Sequence, residues 1–259
     1  MIKNSSTLFT RTLYSPDNTA TALLIHGLGS SSSTWRDLSK DLFKSGYNII
    51  APDLFGHGRS PHSETYSLQE WVNSILTLNI KPDLIVGHSM GGLIASLVQE
   101  KLGAKKLILL DPVFFLPKDK FMNKNIQFGF KAVMLSKKFR VGRKLRKFIL
   151  TKRAFIVREV ADVLRWDTKT SKALIANPKT IVKRLQQGTE RILLVRARGS
   201  YILPSSVLKR QFREGVELYS MKAGHNLHHE NYPKLWDLIS KFLKGDINEG
   251  NFISSTATL

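Results

Sequence analysis

The stretch LIVGHSMGGL at residues 84–93 decides the fold of this chain. An apolar run leads into a G-x-S-x-G turn around Ser89, and the apolar residues that follow can form a helix. A serine in so tight a strand–turn–helix connection adopts strained backbone angles, so its neighbours two positions away must be glycine. The strain lifts the hydroxyl clear of the sheet and places the next N–H at a helix N-terminus. The stretch therefore predicts a nucleophile elbow with Ser89 as the nucleophile; the alternative is a glycine-rich turn whose serine does no chemistry.

Three further segments accompany this stretch in a fixed order. They are LLIHGLG at residues 23–29, NIIAPDLFGHGRS at residues 48–60, and AGHN at residues 223–226 after the strand-like VELY. Together the four motifs resemble the α/β-hydrolase family, over about residues 8–244. The resemblance implies an α/β fold with a mostly parallel central sheet, helices on both faces and an inserted helical cap.

Apolar runs alternate with helical segments along most of the chain, which predicts a parallel sheet buried on both faces. We expect strands at residues 8–15, 22–26, 48–52, 84–87, 106–111, 191–196 and 216–220. We expect helices that end near Gly46, Ile80 and Leu102, a helix after Pro204, and a last helix from Tyr232 to Leu243. The helix that ends near Ile80 has Ser67 as its N-cap and Glu70 in the capping-box position.

The alternation lapses between residues 112 and 190, where apolar residues recur at mixed 3–4 spacing among many cations. By the resemblance, this segment is a basic helical cap inserted into a core of residues 1–111 and 191–244. Residues 245–259 form a polar tail that we expect to be mobile. With 259 residues, the chain is long enough for one α/β domain that carries such a cap.

The resemblance also implies a general base, which nucleophilic acyl transfer needs in order to activate a serine hydroxyl. His225 follows the last predicted strand, where the family places its base, and Gly224 precedes it. His228 and His229 are the rival bases, and we expect them at the start of the last helix. No nearby pair of carboxylates or cysteines completes a metal site in this stretch, so no metal is predicted.

The acid that orients the base is where the sequence departs from the family pattern. That acid usually lies in the loop after the strand that follows the cap, yet RARGSYILP at residues 196–204 contains no carboxylate. If Pro204 is matched to the proline that commonly ends this loop, Ser200 stands at the acid position. Some family members carry the acid just before the cap, where Asp111 stands. We predict Asp111 as the acid; a Ser-His dyad assisted by Ser200, or a loss of catalysis, are the alternatives.

An oxyanion hole needs two backbone amides, so side-chain identity there is loose. The resemblance implies the N–H of Met90, directly after the nucleophile, and the N–H of Leu28, after the His-Gly pair. His26 and His88 are expected to be scaffold or pocket-lining residues. Asp53, Gly56 and Gly58 match a family loop that is mainly structural.

The charge of the chain is strongly basic and unevenly spread. Forty Lys and Arg against twenty Asp and Glu give a net charge of +20. Residues 112–190 contain 20 Lys or Arg and 5 Asp or Glu, a local balance of +15. Such a patch favours an anionic ester as substrate or peripheral contact with anionic lipid, whereas solubility is the alternative explanation. Nucleic acid is a disfavoured partner, since no recognition motif with interleaved aromatic residues occurs.

These observations predict a serine hydrolase that cleaves a carboxylic ester through an acyl-enzyme, with neither metal nor organic cofactor. A C–C bond hydrolase or perhydrolase would use the same residues, and a non-catalytic binder or sensor would line a ligand pocket with Ser89 and His225.

The chain has no cysteine, its first residues lack the apolar region of a signal peptide, and no apolar run approaches 18 residues. We therefore expect a cytoplasmic protein. The oligomeric state is left open.

Overall fold

A seven-stranded sheet organises the residues that the computed structural model describes, which are 7–113, 154–174, 185–199, 202–203 and 212–245. The strands lie side by side in the order β1-β3-β2-β4-β5-β6-β7, and β1 alone runs antiparallel to its neighbour. This confirms the predicted α/β fold with a mostly parallel sheet. The strand bounds are β1 Thr10–Leu13, β2 Ala20–Ile25, β3 Tyr47–Pro52, β4 Leu84–His88, β5 Lys106–Leu110, β6 Arg191–Ala197 and β7 Val216–Met221.

Helices cover both faces of the sheet, as the apolar runs predicted. One core cluster contains Trp71 and Ile94 from helices on one face, and the other contains Trp35 and Phe242 on the opposite face. In β4, Ile85 faces the first cluster, and its neighbours face the second. The helices are α1 Arg36–Lys44, α2 Leu68–Leu76, α3 Met90–Leu102, α4 Ala154–Arg165, α5 Leu227–Glu230 and α6 Tyr232–Lys244, with 3₁₀ helices at Ser32–Trp35 and Thr168–Leu174.

Helix ends follow the local capping chemistry where a cap is present. Ser67 accepts a hydrogen bond from the N–H of Glu70 at the start of α2, which confirms the predicted N-cap. The helix α3 ends at Leu102, and Gly103 takes a left-handed conformation with φ 70°, as expected of a terminating glycine. The predicted end of α2 near Ile80 is wrong. The helix stops at Leu76, because Asn79 turns into the left-handed region with φ 49°.

The first strand is shorter than the eight residues that the alternation predicted. Only Thr10 to Leu13 pair with β3, and the N–H of Ser15 donates instead to the side chain of Asn48. The strand β1 lies at the edge of the sheet and pairs with β3 alone. Because the side chain of Asn48 accepts the hydrogen bond of the Ser15 N–H, the pairing with the β3 backbone ends before Ser15.

Of the predicted cap, the structure describes residues 112–113, 154–174 and 185–190. The described part includes α4, where Asp162 accepts hydrogen bonds from Ser31 and Ser33 at 2.7 and 2.9 Å. These bonds hold α4 at the carboxyl edge of the sheet, beside the loop that follows β2. The rest of the predicted cap (residues 114–153 and 175–184), Ser200, the helix after Pro204 and residues 246–259 of the tail lie outside the described residues. Within the described ranges, every helix is too short or too polar to cross a membrane.

Candidate active site

Ser89 occupies the turn between β4 and α3 with strained backbone angles, φ 55° and ψ −118°. A residue other than glycine in this region costs on the order of 1–3 kcal/mol. Backbone hydrogen bonds hold the turn in place. The N–H of Ser89 donates to the carbonyl of Leu110 at 3.0 Å, and the carbonyl of Ser89 accepts from Gly92 at 3.0 Å and from Val113 at 3.1 Å. The sheet and the helix together therefore impose the conformation that the motif predicted.

The two glycines of the motif are required by close backbone contacts. A Cβ atom added to Gly91 would lie 2.1 Å from the carbonyl oxygen of Ile25 in the neighbouring strand. A Cβ atom added to Gly87 would lie 2.4 Å from the carbonyl oxygen of Gly91. Both distances are far below any real Cβ contact, and backbone atoms cannot move aside cheaply. The elbow therefore accepts glycine alone at these two positions.

The ring of His225 lies between the other two predicted residues. Its Nε2 atom is 3.0 Å from Oγ of Ser89, and its Nδ1 atom is 2.7 Å from Oδ2 of Asp111. Since a carboxylate only accepts, Nδ1 carries the proton and donates a hydrogen bond to Asp111. That tautomer leaves the lone pair of Nε2 facing the serine hydroxyl. The structure thus brings Ser89, His225 and Asp111 into one chain of hydrogen bonds.

Asp111 is buried at the end of β5, where the sheet fixes its position. Its backbone has φ 43°, and its N–H donates to the carbonyl of Val195 at 2.7 Å. Its side chain is fully buried, and its second oxygen accepts from the N–H of Ala197 at 3.1 Å. Each carboxylate oxygen therefore has a hydrogen-bond donor, which a buried charge requires. Ser200, the predicted substitute at the usual acid position, lies outside the described residues.

The loop after β2 packs directly against the elbow. A Cβ atom added to Gly27 would lie 3.1 Å from Cβ of Ser89 and 2.9 Å from Nδ1 of His88. Leu28, the next residue, is buried, and Met90 is the first residue of α3. The first N–H groups of an α-helix have no partner within the helix, so this end can stabilise a negative charge. Met90 thus follows Ser89 directly, Leu28 follows the glycine that packs beside Ser89, and the oxyanion role of both residues stays a prediction.

His26 connects two loops at the same edge of the sheet. Its Nε2 atom accepts from the N–H of Leu54 at 3.0 Å, so Nδ1 carries the proton and donates to the carbonyl of Gly27 at 2.8 Å. Burial lowers the pKa of this fully buried ring, although the charge of Asp53 acts in the opposite direction. Asp53 in turn accepts from the N–H groups of Ser32 and Arg59 at 2.6 and 2.8 Å. These contacts are those of a scaffold.

A cluster of histidines behind the site was not predicted as a unit. The ring of His88 lies 4.7 Å from that of His225 and 4.5 Å from that of His228, and its Nε2 atom donates to the carbonyl of His225 at 2.9 Å. The Nε2 atoms of His228 and His229 each lie 2.7 Å from Oγ1 of Thr34. The sequence signals for this cluster were the histidine within G-x-S-x-G and the polar loop that contains Thr34.

The rival bases do not lie where the sequence predicted. His228 and His229 belong to the short helix α5, and Asn231, with the non-helical angles φ −145° and ψ 54°, separates α5 from the last helix. Burial, followed by the charges of His229, His88 and His225, lowers the pKa of His228 well below its usual value. Within the described residues, no group of three or more His, Cys, Asp or Glu could hold a metal ion.

Known proteins resemble this chain in both sequence and structure. The sequence model of the alpha/beta hydrolase family matches residues 22–235. Lipase LipV of Mycobacterium tuberculosis is 34% identical over 111 residues, which cover 40% of this chain and 41% of LipV. An uncharacterized protein of the same organism is 42% identical over 79 residues, which cover 28% of this chain and 23% of that protein. The chain spans less than half the length of the curated relatives it matches.

A solved structure matches over nearly the whole chain. An esterase (EaEST) from Exiguobacterium antarcticum has a TM-score of 0.71 at 17% identity, and the match covers 92% of this chain and 95% of that one. At this identity, the likeness supports the fold and carries no statement about the substrate.

Proposed function

This chain belongs to the alpha/beta hydrolase family, and we propose that it is a serine hydrolase that cleaves a carboxylic ester through an acyl-enzyme. The observation that carries the proposal is the hydrogen-bonded chain of Ser89, His225 and Asp111, with links of 3.0 and 2.7 Å. The names lipase and esterase of two similar proteins support an ester as the substrate.

In the first half of the reaction, the proposed base removes a proton from the serine. Nε2 of His225 takes the proton of the Ser89 hydroxyl while Oγ forms a bond to the ester carbonyl carbon. The carbonyl π electrons move to the oxygen, and the backbone N–H groups of Leu28 and Met90 stabilise that oxyanion. Asp111 holds the imidazole in the required tautomer and stabilises the imidazolium that forms. The C–O bond then breaks, and the leaving alcohol takes the proton from Nε2.

In the second half, water repeats the sequence on the acyl-enzyme. Nε2 of His225 accepts a proton from water as the water oxygen bonds to the acyl carbon. The oxyanion collapses, the bond to Oγ of Ser89 breaks, and the proton on Nε2 returns to Oγ. A carboxylic acid leaves, and the enzyme is restored. No step requires a metal or an organic cofactor.

Labelling with a fluorophosphonate tests the proposal, because this reagent reports an activated serine whatever the natural ester is. We expect the wild type to be labelled and to hydrolyse a short p-nitrophenyl ester. Ser89→Ala removes the nucleophile and abolishes labelling, and hydrolysis falls by about 10⁶-fold. Ser63→Ala, at an exposed position, is the matched control and keeps both properties.

Each other outcome points to a different alternative. An unlabelled wild type would favour the non-catalytic binder or sensor. Labelling without ester turnover would favour the C–C bond hydrolase or perhydrolase. Labelling of the Ser89→Ala variant at the wild-type rate would remove Ser89 as the nucleophile.

A further inference from the structure

Six cations from separate parts of the chain line a groove at the carboxyl edge of the sheet. One cavity of about 190 Å³ is lined by Arg11, Arg59, Arg158 and Arg165. An adjoining cavity of about 350 Å³ shares Arg11 and Arg158 and adds Arg36 and Lys40. We call these six side chains the basic groove. They come from β1, α1, the loop after β3 and α4, so the folded chain gathers charge that is dispersed in the sequence.

The carboxylates that also line the groove are already engaged. Asp53 accepts from two backbone N–H groups, those of Ser32 and Arg59. Asp162 accepts from the hydroxyls of Ser31 and Ser33. Within the described residues, the ion pairs join other side chains: His62–Asp167, Arg191–Glu217, Arg213–Glu190, His225–Asp111 and Lys241–Asp237. The cations of the groove therefore have no acidic side chain in ion-pair contact within the described ranges.

Arg158, like Arg11, lines both cavities. It is half-buried, and its Nε atom is buried without a hydrogen-bond partner among the described residues. A buried donor of this kind is costly unless a ligand accepts from it. The fork of Nε and Nη donors on a guanidinium matches the oxygens of a tetrahedral oxyanion. An anion in the groove would satisfy this donor and relieve the repulsion among its neighbours.

We propose that the basic groove binds a phosphate group, either as a free phosphate or as part of a lipid head group. Guanidinium groups favour phosphate because they can donate two parallel hydrogen bonds to it. Arg59 is held in place by its stacking over the ring of Phe9, with the guanidinium carbon 5.0 Å from the ring centre. Ser89, His225 and Asp111 do not line the groove. The proposal therefore stands whether or not the chain is an esterase.

Calorimetric titration of the full chain with inorganic phosphate, at constant ionic strength set with chloride, tests the proposal. We expect saturable binding of one phosphate by the wild type. In the double variant Arg11→Gln/Arg158→Gln, the dissociation constant rises by about tenfold or more, since two charge-assisted contacts are lost. Arg158→Lys keeps the charge without the fork, and it weakens binding by a smaller factor.

The matched control is Lys81→Gln/Lys101→Gln, which removes the same charge from two exposed positions at the opposite edge of the sheet. It leaves the dissociation constant for phosphate within about twofold of wild type, because charges at the opposite edge of the sheet are screened from the groove over about 8 Å at physiological ionic strength. A melting temperature equal to that of the wild type shows that each variant is folded.

A second arm separates the two sources of phosphate. The proteins are floated with phosphatidylcholine vesicles that contain or lack phosphatidic acid. Binding to phosphatidic acid that requires Arg11 and Arg158, without binding of free phosphate, assigns the groove to a lipid surface. Binding of free phosphate alone assigns it to a soluble ligand. The proposal is overturned if the wild type binds neither probe, or if the groove variant and the control variant bind both equally.

Discussion

His225 and His228 lie three residues apart, and their surroundings differ in burial and in hydrogen-bond partners. The side chain of His225 is 31% exposed, and its ring contacts the buried carboxylate of Asp111 and the hydroxyl of Ser89. His228 is buried against Trp35, His88 and His229, and Nδ1 has no hydrogen-bond partner among the described residues. The partner of a histidine, rather than its place near the motif, therefore decides whether it can serve as a base.

The reason is electrostatic. A base must hold a positive charge during the reaction, and burial without a counter-charge disfavours the protonated ring. At His228, burial and three neighbouring histidines all lower the pKa. At His225, a carboxylate 2.7 Å away stabilises the imidazolium. One histidine is therefore suited to exchange a proton with Ser89, and the other is suited to remain neutral.

The largest expected effect separates the two histidines directly. His225→Ala removes the proposed base, so we expect kcat for a p-nitrophenyl ester to fall by about 10⁶-fold, as for the loss of the proposed nucleophile. His228→Gln is the matched variant. It keeps kcat within about tenfold of wild type, because the ring of His228 contacts the hydroxyl of Thr34, whereas His225 contacts that of Ser89. If His228→Gln were the more damaging change, the assignment of the base would be wrong.

A smaller loss is expected when the orienting carboxylate is neutralised. Asp111→Asn keeps the shape of the side chain, but its amide can donate to Nδ1 of His225 and so favour the tautomer whose Nε2 cannot accept a proton. We expect kcat to fall by about 10⁴-fold with little change in KM.

Asp237→Asn is the control for that change. It neutralises an exposed carboxylate that pairs only with Lys241 among the described residues, and it leaves kcat unchanged. A folded Asp111→Asn variant with wild-type kcat would show that Asp111 does not orient the base, and the dyad assisted by Ser200 would then be favoured.

The parts of the site that could be predicted from the sequence are those where backbone contacts restrict the residue type. Gly91 packs against the carbonyl of Ile25, so only glycine fits, and the motif records this. Asp111 was predicted because some members of the family carry the acid just before the cap, and because adjacent parallel strands end together, as the pairing of Leu110 with Val195 shows. Residue type, family resemblance and strand register thus carried these predictions.

The parts that were missed depend on contacts between distant side chains that many residues could make. Thr34 meets His228 across 194 positions, and neither residue type requires the other. The basic groove joins Arg11 on β1 to Arg158 on α4, and neither position belongs to a motif. The early end of α2 depends on Asn79, whose left-handed conformation is one of several that its sequence permits. Contacts of this kind, between side chains far apart in the sequence, leave little trace in a single sequence.

The smallest expected effect is on stability, and it tests the neutral state of His228. Its pKa is lowered in the folded protein, so below about pH 6.5 the unfolded chain binds a proton that the folded chain does not. The free energy of unfolding must therefore fall as the pH falls from about 6.5. This group contributes a loss of about 1 kcal/mol between pH 6.5 and 5.5. Burial lowers the pKa of His26 as well, and its contribution has the same sign.

Urea unfolding at pH 7.5, 6.5 and 5.5 measures this loss. In His228→Gln, nothing titrates at position 228, so the decrease between pH 6.5 and 5.5 is smaller than in the wild type by about 1 kcal/mol. Ser63→Ala, at an exposed position whose side chain does not titrate in this range, is the control and keeps the wild-type decrease. An equal decrease in the wild type and in His228→Gln would mean that His228 takes up its proton in the folded protein. The contrast with His225 would then rest on the position of Asp111 alone.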